Sequence, residues 1–204
     1  METMSHWERV YATRSPDALS WYQPHAQLSL DLIRRVGTVP GTRVIDVGGG
    51  TSTLVDDLLA AGIRDVTVLD ISAAALRVAR ERLGDKVAGA NWITGDITRV
   101  ELPEAAYDIW HDRAVFHFLT DPADRAAYVE QVRRAVRPGG HVIVAAFGPE
   151  GPTQCSGLPV VRYEPGELHA QFGGRFELVE HRSEAHRTPG GAVQPFVYCH
   201  CVLH

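Results

Sequence analysis

Lysine is almost absent from this sequence, and cysteines and long apolar runs are scarce. Lys86 is the only lysine in the 204 residues, and the arginines are scattered rather than clustered. With a formal net charge of −5 at pH 7, the chain has no overall field that attracts nucleic acid or an anionic membrane. No apolar run approaches the roughly 18 residues that a transmembrane helix needs. We therefore expect neither nucleic acid nor a membrane as a partner.

The cysteines and the N-terminus bear on the compartment. Cys155, Cys199 and Cys201 are an odd number, which argues against a disulfide framework and for a reducing compartment. Residues 1–9 lack the charged start and the apolar run of a secretory signal. The expected location is the cytoplasm.

Segments with strand character alternate with segments of helical periodicity through the middle of the chain. Such alternation predicts right-handed βαβ units and a parallel sheet. Two later strand-like runs, 176–180 and 193–203, flank Pro189-Gly190-Gly191 and predict an antiparallel hairpin at the sheet edge. The expected fold is α/β, a Rossmann-like three-layer sandwich with a seven-stranded, mostly parallel sheet and an antiparallel C-terminal hairpin. Its other predicted strands cover residues 43–47, 65–70, 91–94, 107–111 and 141–147, and its helices cover 5–12, 25–36, 51–61, 73–83, 122–136 and 165–171.

The strongest candidate site is the segment from Val44 to Ser52, in which a buried strand runs into three consecutive glycines. Glycines at a strand-to-helix turn allow a tight bend and close approach of the backbone to a ligand. The following helix offers unpaired N–H groups to polar groups of that ligand. A glycine turn alone is a weak sign of a ligand, because any tight loop between a strand and a helix can use one.

Two further acidic positions favour a nucleotide ligand. Asp70 ends the second strand, where a carboxylate can accept hydrogen bonds from both hydroxyls of a ribose. Its alternative role is to cap the helix that begins near Ser72. Asp96, in Gly95-Asp96-Ile97, ends the third strand, where it can accept from an adenine amino group while Ile97 packs on the ring. The alternative for this segment is a plain turn.

Two kinds of nucleotide compete for this pattern. An NAD site also uses a glycine turn and an acidic residue about 20 residues further on. Asp46, however, lies before the first glycine, where the pyrophosphate of NAD would bring negative charge close to it. A cationic ligand is favoured there by Coulomb attraction in a partly dry cleft. S-adenosylmethionine (AdoMet), which carries a sulfonium and an α-ammonium and no phosphate, meets that requirement.

The segment Asp46-Val47-Gly48-Gly49-Gly50 resembles the acid-x-Gly-x-Gly signature of class I AdoMet-dependent methyltransferases. The resemblance covers about residues 36–147, and the terminal hairpin is consistent with the reversed seventh strand of that family. Ser52 is a departure, since many members carry a third glycine there. Segments similar to the later motifs of the family follow in the same order: Asp70, Gly95-Asp96-Ile97, Tyr107-Asp108-Ile109-Trp110 and Arg137-Pro138-Gly139-Gly140.

The resemblance implies AdoMet as the cofactor and one domain that surrounds it. Residues 1–37 would be an N-terminal helical lid, 38–147 the AdoMet-binding core, and 148–204 a loop and the terminal hairpin. Asp70 would hold the ribose, Asp96 the adenine edge, and residues 111–114 would lie beside the sulfonium. The cofactor-binding residues expected on this basis are Trp21, Asp46, Gly48, Gly49, Gly50, Ser52, Asp70, Ile71, Asp96, Ile97 and His111.

Methyl transfer requires in-line attack on the methyl carbon, and most of the rate can come from holding the acceptor in line. In open α/β sheets this chemistry lies beyond the carboxyl ends of the strands. His117 is either a general base or a packed residue between two phenylalanines. Arg113 either binds an anionic acceptor or forms an ion pair with Asp112 or Asp108. The candidate catalytic residues after the fourth strand are His117, His111 and Arg113.

Several other residues have weaker claims to a role. Cys155, in the long loop 147–159, is either a ligand for a soft substrate or a bystander. On a strand, Cys199 and Cys201 face away from His200, so they cannot converge with it on one ion, and no metal is expected. The aromatic residues ahead of the first strand can form a lid, face the sulfonium, line the acceptor pocket or simply pack in the core: Trp7, Tyr11, Trp21 and Tyr22.

Three functions of different classes follow from these patterns. A methyltransferase with a small-molecule acceptor is preferred, because His111, Arg113, His117 and the proline-rich loop can enclose a compact polar substrate. A protein (lysine) methyltransferase is the alternative, and it predicts an open acidic groove. The third is a non-catalytic AdoMet-binding protein that serves as a sensor or a partner subunit. An NAD-dependent oxidoreductase is less favoured than all three.

Overall fold

The computed structural model describes residues 2–204, and strand pairing defines its architecture. Strands lie at Arg43–Val47 (β1), Asp65–Asp70 (β2), Ala90–Thr94 (β3), Tyr107–Arg113 (β4), Val136–Phe147 (β5), Gln154–Cys155 (β6), Leu158–Pro159 (β7), Phe176–Arg187 (β8) and Val193–Leu203 (β9). All but β6 and β7 form one seven-stranded sheet in the order β3-β2-β1-β4-β5-β9-β8. The first five strands pair in parallel, while β9 is antiparallel to both β5 and β8. The predicted sheet and its terminal hairpin are thus confirmed.

Helices cover both faces of the sheet and complete the three layers. They lie at Glu2–Thr13 (α1), Gln27–Arg35 (α2), Leu54–Ala60 (α3), Ala73–Leu83 (α4), Pro122–Ala135 (α5) and Pro165–Ala170 (α6). Val44 and Ile45, adjacent on β1, are buried in different clusters because successive strand side chains point to opposite faces. Val44 packs with Leu58 of α3, on the side of α2 and α4, and Ile45 shares a cluster with Val132 of α5. Between residues 2 and 204, no helix is long and apolar enough to cross a membrane.

Three local differences from the sequence expectations have physical causes. Strand β5 begins at Val136 rather than at residue 141, and residues 137–140 bulge out of the pairing with β4. Helix α3 begins at Leu54 rather than at residue 51, because the glycine turn continues through Thr53. The loop after β5 contains the short β6–β7 hairpin, whose turn residues 156–157 have positive φ angles of 49° and 79°.

Candidate functional site

The ends of β1, β2 and β4 lie side by side and bring the acidic and imidazole side chains together. Asp46 of β1 is in register with Val68 of β2 and with His111 of β4. Asp70 ends β2. Both aspartates are buried, since only 3% of the surface of Asp46 and 5% of that of Asp70 is exposed. Burying two carboxylates near each other is costly unless donors or cations compensate them. The site is therefore built to attract a positively charged or hydrogen-bond-donating group.

The Gly48-Gly49-Gly50 turn passes directly beside these carboxylates and leaves no room for side chains. The first glycine has φ +69°, and a Cβ there would overlap Cγ2 of Val115. A Cβ on the second glycine would lie 2.6 Å from Oδ2 of Asp46, and one on the third 2.8 Å from Oδ2 of Asp70. Because the turn has no side chains, its backbone and the two carboxylates border the same space.

Asp46 leaves one carboxylate oxygen without a partner. Its Oδ1 lies 2.7 Å from Nδ1 of His111, whereas its Oδ2 is buried and has no hydrogen-bond partner among the residues described. Leaving a buried polar atom unsatisfied costs roughly 1–3 kcal/mol, and more when the group is charged. The site therefore fits a bound cation such as the α-ammonium of AdoMet, and it does not fit the pyrophosphate of NAD.

Asp70 takes part in the start of α4 and also keeps an acidic group at the site. Its Oδ1 accepts a hydrogen bond from the Ser72 backbone N–H at 2.8 Å, while the Ser72 side chain caps the helix by accepting from Ala75. Burial, with the nearby negative charges of Asp46 and Glu8, raises the pKa of Asp70 to about 7. Hydrogen bonds from ribose hydroxyls would favour its ionised form.

Helix α1 lies across the Asp70 end of the site. The Glu8 carboxylate accepts from the Ala73 backbone N–H at 2.6 Å and so stabilises the N-terminus of α4. The Tyr11 hydroxyl comes within 3.1 Å of where a Cβ on Gly50 would lie. The position of α1 is compatible with a lid, and the lid role of residues 1–37 stays a prediction.

The residues expected around the adenine lie outside the cleft described below. Asp96 accepts from the backbone N–H and the hydroxyl of Thr98, at 2.9 and 2.7 Å, which is the turn role left open by the sequence. Ile97 is buried in the core on the α5 side, and Ile71 packs against the aromatic cluster of α1. Their adenine contacts stay predictions.

A cleft of about 520 Å³ opens beside Asp46. The glycine turn forms its floor, residues 21–29 form its roof, and the end of β4 forms a wall. It brings together seven of the expected site residues and leaves His117 outside. The lining residues are Trp21, Tyr22, Gln23, Ala26, Ser29, Asp46, Gly48, Gly49, Thr51, Ser52, Thr53, His111 and Arg113.

His111 is fixed by hydrogen bonds at both ring nitrogens. Besides the contact of Nδ1 with Asp46, its Nε2 lies 2.8 Å from the Ser29 hydroxyl oxygen, and the ring is buried. The sequence did not indicate Ser29, because it is one of several polar residues on an amphipathic helix. Its position opposite His111 depends on how α2 crosses the sheet.

Arg113 carries a charge that is already neutralised within the protein. Its Nη2 lies 3.0 Å from Glu184 Oε2, its Nε donates to the Tyr198 hydroxyl at 3.0 Å, and its guanidinium lies 4.1 Å from the Phe196 ring centroid. Gln23 donates to the other Glu184 oxygen at 2.7 Å. The structure therefore favours an ion-pair role over the binding of an anionic acceptor.

The two ion-pair partners expected for Arg113 were wrong. Asp112 points to the opposite face of β4, because neighbouring strand residues alternate. It accepts from two backbone N–H groups and from the Tyr128 hydroxyl, and burial raises its pKa to about 6. Asp108 lies five residues away, roughly 17 Å along a strand, and pairs with Arg43 and Arg137. Glu184 could not be chosen from the sequence, because it lies on the terminal hairpin.

His117 is completely buried between aromatic rings. Its ring centroid lies 4.6 Å from those of Phe118 and Phe147, and its Nδ1 accepts from the Phe147 backbone N–H at 3.4 Å. Burial, with a smaller effect of the Arg113 charge, lowers its pKa to about 3. So weak a base, shielded from the cleft, fits the packing role that the sequence left open and does not fit a general base.

The cysteines are buried thiols. Burial raises the pKa of Cys155 to about 11, so at neutral pH it is protonated and a weak nucleophile or metal ligand. Cys199 and Cys201 lie in the core, while His200 faces the other side of β9 and contacts His141 at 2.9 Å. Across residues 2–204, no group of three or more His, Cys, Asp or Glu side chains could hold a metal ion.

Part of the chain is similar in sequence to a known protein family. A family model described as a methyltransferase domain matches residues 44–140, from β1 to the bulge of β5. This part of the chain is therefore similar to a methyltransferase domain, as its resemblance to the class I AdoMet-dependent methyltransferases implied. AdoMet is the cofactor of that family, in agreement with the cation-compatible site beside Asp46.

The printed names of the relatives of this chain differ in the acceptor. The eEF1A lysine and N-terminal methyltransferase of Bos taurus is 26% identical over 142 residues, which cover 69% of this chain and 20% of the relative. The demethylmenaquinone methyltransferase of Renibacterium salmoninarum is 32% identical over 116 residues, which cover 57% of this chain and 46% of the relative. The chain thus spans less than half the length of these curated relatives.

Solved structures share the fold of this chain over nearly its whole length. A SAM-dependent methyltransferase from Anabaena variabilis has a TM-score of 0.75 at 16% identity, covering 100% of this chain and 96% of the other. A structure described by the words "Conversion of a Disulfide Bond into a Thioacetal Group during Echinomycin Biosynthesis" has a TM-score of 0.75 at 19% identity. The match covers 98% of this chain and 91% of the other. At such identities the likeness shows the fold alone.

Proposed function

We propose that this methyltransferase binds AdoMet with its methionine end in the cleft and transfers the methyl group to a small-molecule acceptor. The observation that supports this proposal most directly is the buried, unpartnered Oδ2 of Asp46 beside the glycine turn. When bound, AdoMet supplies an electrophilic methyl group on a sulfonium. The protein binds and orients both partners and excludes water from them.

Each expected residue has a proposed role. Asp46 binds the α-ammonium, and the backbone of Gly48-Gly49-Gly50, with Ser52, lies along the methionine part. Asp70 accepts from the ribose hydroxyls, while Trp21 and His111 face the methyl group from the roof and the wall of the cleft. Residues 1–37 act as a lid. The adenine is held by Ile71, Asp96 and Ile97.

The shape and charge of the cleft support a compact, uncharged acceptor. Residues 21–29 roof the cleft, so a bound acceptor would be enclosed between them and the glycine turn. Arg113 is paired with Glu184, which leaves no free cation for an anionic acceptor, and the unpartnered oxygen of Asp46 is assigned to the α-ammonium of AdoMet. Trp21 and Tyr22 add apolar surface for the body of the acceptor. With its cysteines free, the enzyme is also proposed to be cytoplasmic.

Methylation of protein lysines is the second candidate. Its support is the match to the eEF1A lysine and N-terminal methyltransferase over 142 residues. A lysine side chain would have to enter beneath residues 21–29, and the enzyme would then accept intact proteins better than small compounds.

Calorimetry with AdoMet, its demethylated product S-adenosylhomocysteine (AdoHcy) and NAD⁺ tests the cofactor. We expect binding of the first two and none of NAD⁺, and binding of NAD⁺ alone would contradict the proposal. Transfer of labelled methyl from AdoMet to a library of small molecules, compared with transfer to cell proteins, tests the acceptor. AdoMet binding without transfer to either set would point to the non-catalytic binder.

A further inference from the structure

Ser29, His111 and Asp46 form a continuous hydrogen-bonded chain that starts in the roof of the cleft. Ser29 Oγ lies 2.8 Å from Nε2 of His111, and Nδ1 of His111 lies 2.7 Å from Oδ1 of Asp46. All three residues are almost completely buried, and all three line the same cleft as the glycine turn. A hydroxyl, an imidazole and a carboxylate in this order are a known arrangement for moving a proton.

The hydrogen-bonding capacities of these groups determine the direction of the chain. An ionised Asp46 can only accept, so Nδ1 of His111 carries the hydrogen between them. In a neutral imidazole the other nitrogen is then an acceptor, and the Ser29 hydroxyl donates to it. Beside this chain, the Tyr198 hydroxyl donates to Glu184 at 3.1 Å and accepts from Nε of Arg113 at 3.0 Å. The remaining lone pair of Ser29 is available to a donor in the cleft.

We propose that this chain is a proton relay and that the acceptor is a neutral hydroxyl compound, an alcohol or a phenol. This inference rests on the methyltransferase function proposed above. As the acceptor oxygen attacks, the O–CH3 bond forms and the S–CH3 bond breaks, with its electron pair left on sulfur. The acceptor proton passes to Ser29 while the proton of Ser29 passes to His111, and the Asp46 carboxylate stabilises the resulting imidazolium. The proton on His111 returns to solvent after the methyl ether leaves.

A hydroxyl is the acceptor group that needs such a relay. A phenol has a pKa of about 10 and keeps its proton at neutral pH, so a base accelerates its attack. An acceptor that is already an anion gains nothing from a base, and the paired Arg113 leaves it no free cation. An ammonium loses its proton to water before it attacks.

Two phenols of different acidity separate the relay from a structural role of Ser29. In Ser29→Ala, we expect kcat for methylation of phenol to fall roughly 100-fold, within the range typical of general base catalysis. With pentafluorophenol, which is ionised at neutral pH, the rate should stay within about twofold, since no proton has to be removed. Ser29→Thr, which keeps the hydroxyl, should restore much of the phenol rate. The control is Ser183→Ala, at an exposed serine of β8. Equal losses with both phenols, or no loss with phenol, would overturn the relay.

A second measurement does not depend on turnover. ¹⁵N NMR of imidazole-labelled protein, with the His111 signals assigned from a His111→Gln variant, reports which nitrogen carries the hydrogen. We expect Nδ1 protonated and Nε2 unprotonated, with a change at Nε2 alone in Ser29→Ala. A hydrogen on Nε2 would overturn the relay whether or not either phenol is methylated. The spectra are recorded with and without AdoHcy, and failure of AdoHcy to bind in calorimetry would count against the methyltransferase function instead.

Discussion

Arg113 on β4 and Glu184 on β8 form an ion pair with a nitrogen–oxygen distance of 3.0 Å, and 71 residues separate them in sequence. Strands β5 and β9 lie between β4 and β8 in the sheet, so the pair bridges four strands at the end that carries the site. The two side chains are only 9% and 16% exposed. The terminal hairpin is thereby joined to the wall of the cleft.

Removing one partner of this ion pair should lower the free energy of unfolding much more than removing both partners. We expect Arg113→Met to lower the free energy of unfolding by about 3 kcal/mol, because it leaves the Glu184 charge poorly compensated. Adding Glu184→Gln should recover a large part of that loss. Urea unfolding of the single and double variants measures the coupling. The exposed pair of Arg77 and Glu81 is the matched control, and Arg77→Met should change stability by less than about 0.5 kcal/mol. Additive losses at Arg113 and Glu184 would show that the pair does not couple the strands.

Gly48 and Gly62 provide a matched test of the glycine turn. Both have positive φ angles, +69° and +88°, but a Cβ on Gly62 meets no atom within 4 Å, whereas one on Gly48 overlaps Val115. Gly62→Ala should therefore cost only the left-handed backbone penalty of about 1–2 kcal/mol. Gly48→Ala should cost a further 1–3 kcal/mol or so because of the overlap. Val115→Ala in the Gly48→Ala background should recover part of this excess in thermal unfolding. Equal losses at Gly48 and Gly62 would mean that the turn has more room than the structure indicates.

The positions of Asp46, Asp70 and His111 were predictable because parallel strands end at one edge of the sheet. Their adjacency follows from the strand order alone, and β1 and β2 begin and end where the alternation of the sequence placed them. The glycine turn between β1 and α3 was equally predictable, since only glycines allow the backbone to approach a ligand so closely.

The partners of these residues were not predictable. Ser29 meets His111 only because α2 packs above β1 and β4, and Glu184 meets Arg113 only through the pairing of the terminal hairpin. Such contacts join distant parts of the chain, and no local pattern marks them. His117 shows the opposite case. Its residue type and its position near the site suggested a catalytic role, but the structure packs its ring against Phe118 and Phe147.

The ionised carboxylate of Asp70 should lower the free energy of unfolding in the absence of a ligand. Its pKa is about 7 in the folded protein, against an ordinary value near 3.8. Between these values the folded state binds more protons than the unfolded state, so stability is lost as pH rises from about 4 to 7. We expect Asp70→Asn to gain stability relative to the parent over this window, by up to about 4 kcal/mol at pH 8. Urea unfolding at pH 5 and pH 8 measures the gain, and Asp85→Asn, at an exposed aspartate, should show none. A gain that is the same at both pH values would rule out the ionisation of Asp70 as its cause.

The same ionisation should make AdoMet binding depend on pH. Ribose hydroxyls donate hydrogen bonds, so the complex favours the Asp70 carboxylate, while burial and the neighbouring charges of Asp46 and Glu8 keep the free protein partly protonated near neutral pH. The dissociation constant for AdoMet should therefore rise roughly tenfold for each pH unit below 7 and level off above pH 8. Tyr11, which also faces Asp70, has its pKa raised by burial and stays neutral over this range. Calorimetry from pH 5.5 to 8.5 measures the dependence.

Asp70→Asn should bind AdoMet at least about tenfold more weakly than the parent at pH 8, since it lacks two charge-assisted hydrogen bonds. Its affinity should also vary much less with pH. If Asp70→Asn kept the pH dependence of the parent, the titrating group would be a different one, and the ribose contact assigned to Asp70 would lose its support.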